Sequence, residues 1–129
     1  MPVKDGGMTL RIGVVDDDDR FRAIARRTLA ADGVDVVGEA RSGEEAVGAF
    51  ARWRADVVLL DLQLPGIDGL EVARRVHADG YGPALILIST CDAAYGQRAA
   101  TGVSAGFLPK EALCLSAILE ILGPDPTIV

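Results

Sequence analysis

The sequence predicts an α/β domain in which five parallel strands form a doubly wound sheet with helices on both faces. Short apolar runs alternate with helix-like segments along the chain without a break, which is typical of right-handed βαβ crossovers. Two of these runs end in carboxylates, the first at Asp16-Asp17 and the third at Asp61. Half of the residues are hydrophobic but only 5% are aromatic, so the core around this sheet must be aliphatic.

Apolar runs and the residues that interrupt them place the individual elements. Strands are predicted where apolar and β-branched residues run together, over residues 10–16, 34–38, 56–61, 84–88 and 104–108. Helices are predicted between and after these runs, over residues 20–32, 44–54, 67–79, 92–101 and 111–122. The third strand is apolar on both faces, which places it in the middle of a helix-covered sheet.

Capping residues mark the ends of the first two helices. Asp19 is the predicted N-cap of the first helix, which stops at Gly33. Ser42, with Glu45 three residues later, forms the pattern of a capping box at the start of the second helix. Trp53 is expected to pack at the end of that helix.

Glycine and proline delimit the elements of the second half. The third helix is predicted to end at Gly80, and Pro83 introduces the fourth strand. The fourth helix consists mostly of small residues, so its sequence signal is carried by few side chains. Gly123-Pro124 terminates the fifth helix.

The chain is expected to form one small cytoplasmic domain. The domain is predicted over residues 10–122, after a tail over residues 1–9, and residues 123–129 are a second tail or the start of a linker. No apolar run approaches the roughly 20 residues that cross a bilayer, and the first residues lack the apolar region of a signal peptide. Cys91 and Cys114 are too few and too far apart for a zinc motif or a disulfide framework, and are expected to be reduced.

The charge pattern argues against direct binding to nucleic acid. The net charge is −6, whereas proteins that bind nucleic acid normally present a basic surface. Five arginines do gather near the first helix, namely Arg11, Arg20, Arg22, Arg26 and Arg27. They are interpreted as a solvated helix face, with a surface for docking a partner as the alternative.

Three carboxylates are expected to converge at one edge of the sheet. If the first and third strands are neighbours, Asp16, Asp17 and Asp61 meet at the carboxyl ends of the strands, where open α/β sheets build their sites. Two carboxylates about 4 Å apart repel by about 4 kcal/mol at an effective dielectric constant near 20, so three of them need a cation. Ligands that are all oxygen favour Mg²⁺ over zinc. The alternative is a solvated acidic turn that caps the helix.

Two further polar residues are expected at the same edge. Ser89 follows the apolar part of the fourth strand, and Lys110 comes shortly after the fifth. A hydroxyl and an ammonium group there could bind the oxygens of a phosphoryl group attached to Asp61, because carboxylates serve as phosphoryl acceptors. Each residue also has an ordinary alternative, Ser89 as a strand-end residue and Lys110 as a surface residue at a helix start.

With these residues in place, the chain resembles the receiver domain of response regulators, the phosphoacceptor half of two-component signalling. The resemblance rests on Val14-Val15-Asp16-Asp17, Leu60-Asp61 with Leu64-Pro65-Gly66-Ile67-Asp68-Gly69, Ile88-Ser89, and Gly106-Phe107-Leu108-Pro109-Lys110. It implies a flavodoxin-like fold with strand order 2-1-3-4-5. Residues 36–40 and 42–46 are most similar to the subfamily whose members usually carry a helix-turn-helix output domain.

The resemblance implies a role for each residue of the site. Asp61 would take a phosphoryl group from a phosphohistidine of a sensor histidine kinase, with Lys110 and Ser89 contacting that group. Asp17, Asp61 and the backbone carbonyl of Gln63 would ligate Mg²⁺, or Mn²⁺ in its place, and Asp16 would act mostly through water. The resemblance implies no enzymatic activity beyond the chain's own phosphorylation and dephosphorylation.

The resemblance also implies a conformational switch. Ser89 would move toward the phosphoryl group and the ring of Phe107 would turn inward behind it, which alters the face formed by the fourth helix, the fifth strand and the fifth helix. That face would regulate a downstream protein or a fused output domain, and a homodimer could form through it. The alternative is that Phe107 is a core aromatic without a switching role.

The sequence leaves one backbone question and three functions open. Pro109 precedes Lys110, so the Leu108–Pro109 bond could be cis, or the proline could merely stiffen the loop. The chain is a stand-alone receiver, the receiver half of a truncated DNA-binding transcriptional regulator, or a Mg²⁺-dependent phosphatase with an aspartyl nucleophile. The phosphatase is disfavoured because such enzymes usually have a second acidic residue two positions after the nucleophile, where this chain has Gln63.

Overall fold

The fold is built on a parallel sheet of five strands. In a computed structural model of the chain, which describes residues 3–4, 8–79, 82–90, 93–102 and 104–123, these strands are β1 (Arg11–Val15), β2 (Asp35–Ala40), β3 (Val57–Asp61), β4 (Ala84–Ser89) and β5 (Gly106–Pro109). Their order is β2-β1-β3-β4-β5, which confirms the predicted flavodoxin-like topology.

Helices cover both faces of the sheet. They are α1 (Asp19–Ala31), α2 (Gly43–Trp53), α3 (Gly69–Asp79), α4 (Ala93–Ala100) and α5 (Leu115–Leu122), with a 3₁₀ turn over Lys110–Ala112. One face of the sheet packs against α1 and α5, and the other packs against α2, α3 and α4. Every residue of β3 is buried, as expected for the central strand. Within the described part of the chain, every helix is too short or too polar to cross a membrane.

A short antiparallel ribbon precedes the sheet. Val3–Lys4 pairs with Met8–Thr9, inside the segment that was predicted to be a tail. The predicted helix end at Gly80, residue Cys91 and the last part of the chain, 124–129, lie outside the described residues.

Two predicted helix starts are wrong. The N-cap of α1 is Asp18 rather than Asp19, because Asp18 is extended and its carboxylate accepts hydrogen bonds from the N–H groups of Arg20 and Phe21. The predicted helix over 111–122 is divided: a 3₁₀ turn covers Lys110–Ala112, and α5 begins only at Leu115. The chain is extended at Leu113, which packs against the core beneath α5 and so interrupts the helix.

Other boundaries move by a few residues. The second strand continues to Ala40, because the Ala40 carbonyl accepts a hydrogen bond from the N–H of Asp16, 3.0 Å away. The third helix begins at Gly69 rather than at residue 67. No peptide bond among the described residues is cis, so the Leu108–Pro109 bond is trans.

The single tryptophan packs across the backbone of two strands. Trp53 ends α2 and is 8% exposed, as predicted for its position at that helix end. Its indole covers Gly13 of β1 and Gly38 of β2, which are neighbours in the sheet. A Cβ at Gly13 would lie 2.6 Å from Trp53 Cε3, and one at Gly38 would overlap the indole more closely. The guanidinium of Arg11 donates to the Trp53 carbonyl over 2.8 Å and holds this helix end in place.

We expect Gly38→Ala to lower the free energy of unfolding by about 1–3 kcal/mol, because the added methyl group must displace a rigid indole from a packed core. Gly48→Ala is the matched control, since Gly48 lies in the same helix as Trp53 and nothing lies within 4 Å of a Cβ built there. Alanine at position 48 should stabilise the helix slightly. Urea unfolding followed by circular dichroism measures both variants, and equal stability of Gly38→Ala and wild type would contradict the packing of Trp53 on β2.

Candidate functional site

Three carboxylates meet at the carboxyl ends of the two central strands. Asp16 and Asp17 directly follow β1, and Asp61 is the last residue of β3. Each of the three offers a carboxylate oxygen that lies within 4.8 Å of the others. Asp16 is 0% exposed and Asp61 is 4% exposed, whereas Asp17 is open to solvent. The predicted convergence of these carboxylates is therefore present.

Backbone amides orient the two buried carboxylates in the same way. Asp16 Oδ1 accepts a hydrogen bond from the N–H of Asp18 over 2.9 Å, and Asp61 Oδ1 accepts one from the N–H of Gln63 over 2.9 Å. In both cases an aspartate bonds the backbone two residues later, a local turn that Asp favours. The Oδ2 atoms of both carboxylates then face the same neighbour, the side chain of Lys110.

The loop after Asp61 is closed tightly by a glycine. Gly69 begins α3 directly against the main-chain carbonyl of Asp61, where a Cβ would overlap the carbonyl oxygen. The N–H of Gly69 donates to the Leu62 carbonyl over 3.3 Å, and the N–H of Leu62 donates to the Ile88 carbonyl over 2.9 Å. These bonds hold the backbone of Asp61 between β4 and the start of α3.

Lys110 lies beside the two buried carboxylates. Its Nζ lies 2.6 Å from Asp16 Oδ2 and 3.3 Å from Asp61 Oδ2, and its side chain is only 15% exposed. The ammonium also lies 4.8 Å from the centre of the Phe21 ring of α1, a cation–π contact. Lys110 is therefore a residue of this site and not a surface residue at a helix start. The contact with Phe21 was not foreseen, because Phe21 reads in the sequence as an ordinary core position of the first helix.

Burial and neighbouring charges together shift the pKa values of Asp61 and Lys110. Burial raises the pKa of the Asp61 carboxyl, and the negative charge of Asp16 adds to the effect, while the Gln63 hydrogen bond and Lys110 only partly offset them. Burial acts to lower the pKa of Lys110, but the close contact with Asp16 and the charges of both carboxylates outweigh it, so the pKa is raised. The site thus combines three carboxylates with one protonated amine.

The residues present fit a hard divalent cation. All the candidate ligand atoms are oxygens, and one ammonium cannot balance three carboxylates. Asp16 Oδ2 is buried and has no hydrogen bond of good geometry among the described residues, although Lys110 is adjacent. A cation held by the neighbouring carboxylates would bring further positive charge to this buried oxygen.

Ser89 and Phe107 lie on the two strands beyond Asp61. Ser89 ends β4, is fully buried, and stands one residue past Ile88, the partner of Asp61 in the ladder. Phe107 of β5 is 2% exposed, and its ring packs so closely on Gly96 of α4 that a Cβ there would overlap it. The amide of Gln97 donates to the Phe107 carbonyl over 3.4 Å. The two predicted switch residues are thus both buried, and α4 packs on the ring of Phe107.

Arg22 departs from the prediction of a solvated arginine face. Its guanidinium is only 12% exposed and donates to the main-chain carbonyl of Asp16 over 2.6 Å. It also contacts Glu39 of β2 and Asp19 of α1. Arg26 is more exposed, at 54% of its side chain, as the predicted solvated face requires, whereas Arg11 lies in β1 and its guanidinium donates to the Trp53 carbonyl.

Comparison with known proteins gives a consistent family. Residues 12–120 match the model of the response regulator receiver domain. The response regulator MprA of Mycobacterium sp. (strain KMS) is 39% identical over 127 residues, covering 92% of this chain and 54% of that protein. The response regulator GacA of Pseudomonas viridiflava is 36% identical over 105 residues, covering 80% of this chain and 49% of that protein. The chain therefore spans about half the length of these two relatives.

A solved structure gives the same fold. The signal receiver domain of NarL from Mycobacterium tuberculosis superposes with a TM-score of 0.80 at 35% identity. The match covers 90% of this chain and 98% of that domain. The likeness thus extends over nearly the whole of both chains.

Proposed function

The chain belongs to the response regulator receiver domain family, and on that premise we propose that Asp61 accepts a phosphoryl group from a phosphohistidine of a sensor histidine kinase. The observation that carries the proposal is the environment of Asp61 Oδ2. This oxygen faces Lys110 Nζ at 3.3 Å, while Oδ1 is held by the N–H of Gln63. One oxygen is therefore fixed and the other is directed toward the cationic side of the site.

The transfer requires positioning and charge neutralisation more than covalent chemistry by the protein. Asp61 Oδ2 attacks the phosphorus atom, the bond between phosphorus and the histidine nitrogen breaks, and its electron pair returns to the imidazole. Lys110 neutralises charge on the phosphoryl oxygens, and the Ser89 hydroxyl donates a hydrogen bond to one of them. The Gln63 N–H keeps the carboxylate from rotating during the attack.

Asp17, Asp61 and the backbone carbonyl of Gln63 are the proposed ligands of Mg²⁺, with Mn²⁺ as a substitute and Asp16 acting through water. The close approach of the three carboxylates and the buried Oδ2 of Asp16 support this assignment. When bound, the cation supplies positive charge to the oxygens of the transferred group. Lys110 supplies a further positive charge next to Asp61.

Ser89 and Phe107 are the proposed link between Asp61 and a surface. A phosphoryl group on Asp61 would favour the arrangement in which Ser89 approaches it and the Phe107 ring lies turned inward behind Ser89, a population shift between two packed states. The contacts of Gly96 and Gln97 with Phe107 support a coupling to α4. The face formed by α4, β5 and α5 would then regulate a downstream protein or a fused output domain, or form a homodimer.

A second proposal concerns the rest of the protein. Because the chain spans about half of MprA and GacA, it could be the receiver half of a longer DNA-binding regulator, with the domain at 10–122 and a linker starting at 123.

In either case we place it in the cytoplasm, where the kinase's phosphohistidine would be, with no enzymatic activity beyond its own phosphorylation and dephosphorylation. Membership of the receiver family and Gln63 both argue against the phosphatase alternative.

Direct mapping of the phosphoryl group tests the main proposal. Incubation with acetyl phosphate and Mg²⁺ is expected to add the mass of one phosphoryl group, stable in acid and labile in base, and EDTA should prevent the addition. Reduction with borohydride should convert the phosphorylated aspartate to homoserine, which fragment masses should place at position 61. Homoserine at another position would remove Asp61 as the acceptor, and no labelling by any donor would indicate a receiver that works without phosphorylation.

A further inference from the structure

Arg22 joins three elements at the edge of the site. Its Nη1 donates to the Asp16 carbonyl over 2.6 Å, at the end of β1, and its Nε donates to Glu39 Oε1 over 3.3 Å, on β2. Its second terminal nitrogen contacts Asp19 in the first turn of α1. A largely buried guanidinium with three partners of this kind has little freedom to move.

The bond to the Asp16 carbonyl controls more than Asp16. This carbonyl belongs to the peptide plane between Asp16 and Asp17, so the direction of the carbonyl sets the direction of the Asp17 backbone. The other neighbouring plane is fixed separately, because the N–H of Asp16 donates to the Ala40 carbonyl over 3.0 Å. Asp17 is exposed, and among the described residues no hydrogen bond or ion pair to its carboxylate is found.

We infer that Arg22 is a positioning residue of the acceptor site. By fixing the peptide plane between Asp16 and Asp17, it keeps the exposed Asp17 carboxylate next to the carboxylates of Asp16 and Asp61. Arg22 cannot be a ligand itself, because its guanidinium has no acceptor atom and is positively charged, like the cation. Its effect on cation binding is therefore indirect, in the way that outer groups orient the ligands of metal sites. This inference rests on the cation site of the proposed function.

Charge and position predict opposite effects when Arg22 is replaced. Removal of a nearby positive charge should by itself strengthen the binding of a divalent cation. Loss of the fixed peptide plane should instead weaken it. Arg26 is the matched control, because it pairs with the same Glu39 at 2.5 Å but has no contact with Asp16.

Titration of the ¹⁵N-labelled protein with MgCl₂ alone, followed through the amide shifts of Asp17 and Leu62, separates these effects. We expect Arg22→Met to raise the dissociation constant for Mg²⁺ about tenfold. Arg26→Met should leave it unchanged or lower it. Arg22→Lys keeps the positive charge but cannot hold all three partners, so it should also weaken binding, and it carries the test if Arg22→Met does not fold.

The outcomes distinguish the inference from the proposed function. Binding by Arg22→Met or Arg22→Lys as tight as that of wild type, or tighter, would overturn the role of Arg22 and leave the acceptor site intact. Weaker binding by Arg26→Met to the same degree would also overturn it, because the effect would then follow from Glu39. A wild-type protein whose amides do not respond to Mg²⁺ would overturn the cation site and this inference together.

Discussion

The Asp61→Asn variant is expected to take up no phosphoryl group from acetyl phosphate and Mg²⁺ under conditions in which wild type takes up one. An amide nitrogen or oxygen is a poor nucleophile toward phosphorus, whereas the volume and the hydrogen bond from the Gln63 N–H can both be retained. The difference is measured by intact mass after a fixed incubation.

Asp61→Asn should also raise the free energy of unfolding at neutral pH in EDTA. Because burial and Asp16 raise the pKa of Asp61 in the folded state above its unfolded value, the charged form is held less favourably when folded than when unfolded. At a pH above both values that difference lowers stability, and the neutral asparagine removes it. Chemical unfolding followed by circular dichroism measures the gain.

Asp68→Asn is the matched control for both measurements. Asp68 lies in the same loop and is exposed, and its carboxylate accepts the N–H of Glu71 over 2.9 Å at the start of α3. Asparagine can cap that helix equally well, so labelling and stability should stay at wild-type values. A phosphoryl group on Asp61→Asn, in equal amount to wild type, would show that another residue is the acceptor.

Replacement of Lys110 by methionine is expected to slow phosphorylation by acetyl phosphate about 100-fold, since the variant loses the protein's own positive group next to the transferred oxygens. It should also lower the free energy of unfolding in EDTA by about 1–3 kcal/mol, because Asp16 and Asp61 are left buried without their common partner. Intact-mass measurement at successive quenched time points gives the rate of phosphorylation, and denaturant unfolding gives the free energy of unfolding.

Added Mg²⁺ and a second variant separate the sources of these losses. A divalent cation among the carboxylates should stabilise Lys110→Met more than it stabilises wild type, because it replaces the missing charge. Lys110→Arg keeps the charge but not the shape, so its stability should lie near that of wild type while its labelling stays slow. Labelling of Lys110→Met within threefold of wild type would refute a role for Lys110 in transfer.

The sheet and the central residues of the site could be predicted because both follow from local patterns. Apolar runs that end in Asp16-Asp17 and Asp61 define buried parallel strands, and parallel strands bring their carboxyl ends to one edge. Ser89 and Lys110 follow from the same rule, as each comes at or just after the end of a strand. No knowledge of individual contacts is required for any of these placements.

The wrong or missing predictions depend on backbone conformation or on contacts between distant segments. Four consecutive aspartates, Asp16 to Asp19, are equally good caps by type, and only the backbone at Asp18 decides among them. The apolar pattern from 111 to 122 continues through Leu113, whose packing on the core interrupts the helix. Arg22 has the same local sequence signal as its neighbours, and its burial depends on Glu39, which is seventeen residues away.

The packing of Trp53 on Gly13 and Gly38 makes the tryptophan an intrinsic fluorescent probe of unfolding. Trp53 is the only tryptophan, it is buried, and the ring of Phe50 meets it edge-on at 5.7 Å. Gly13 precedes Asp16 by three residues, which is about 10 Å of strand. The fluorescence of Trp53 should therefore change when the indole leaves Gly13 and Gly38 on unfolding. It should stay nearly constant when Mg²⁺ or a phosphoryl group binds at the carboxylates. Unfolding of any site variant can thus be followed by emission in the presence of cation and phosphodonor, without an added dye.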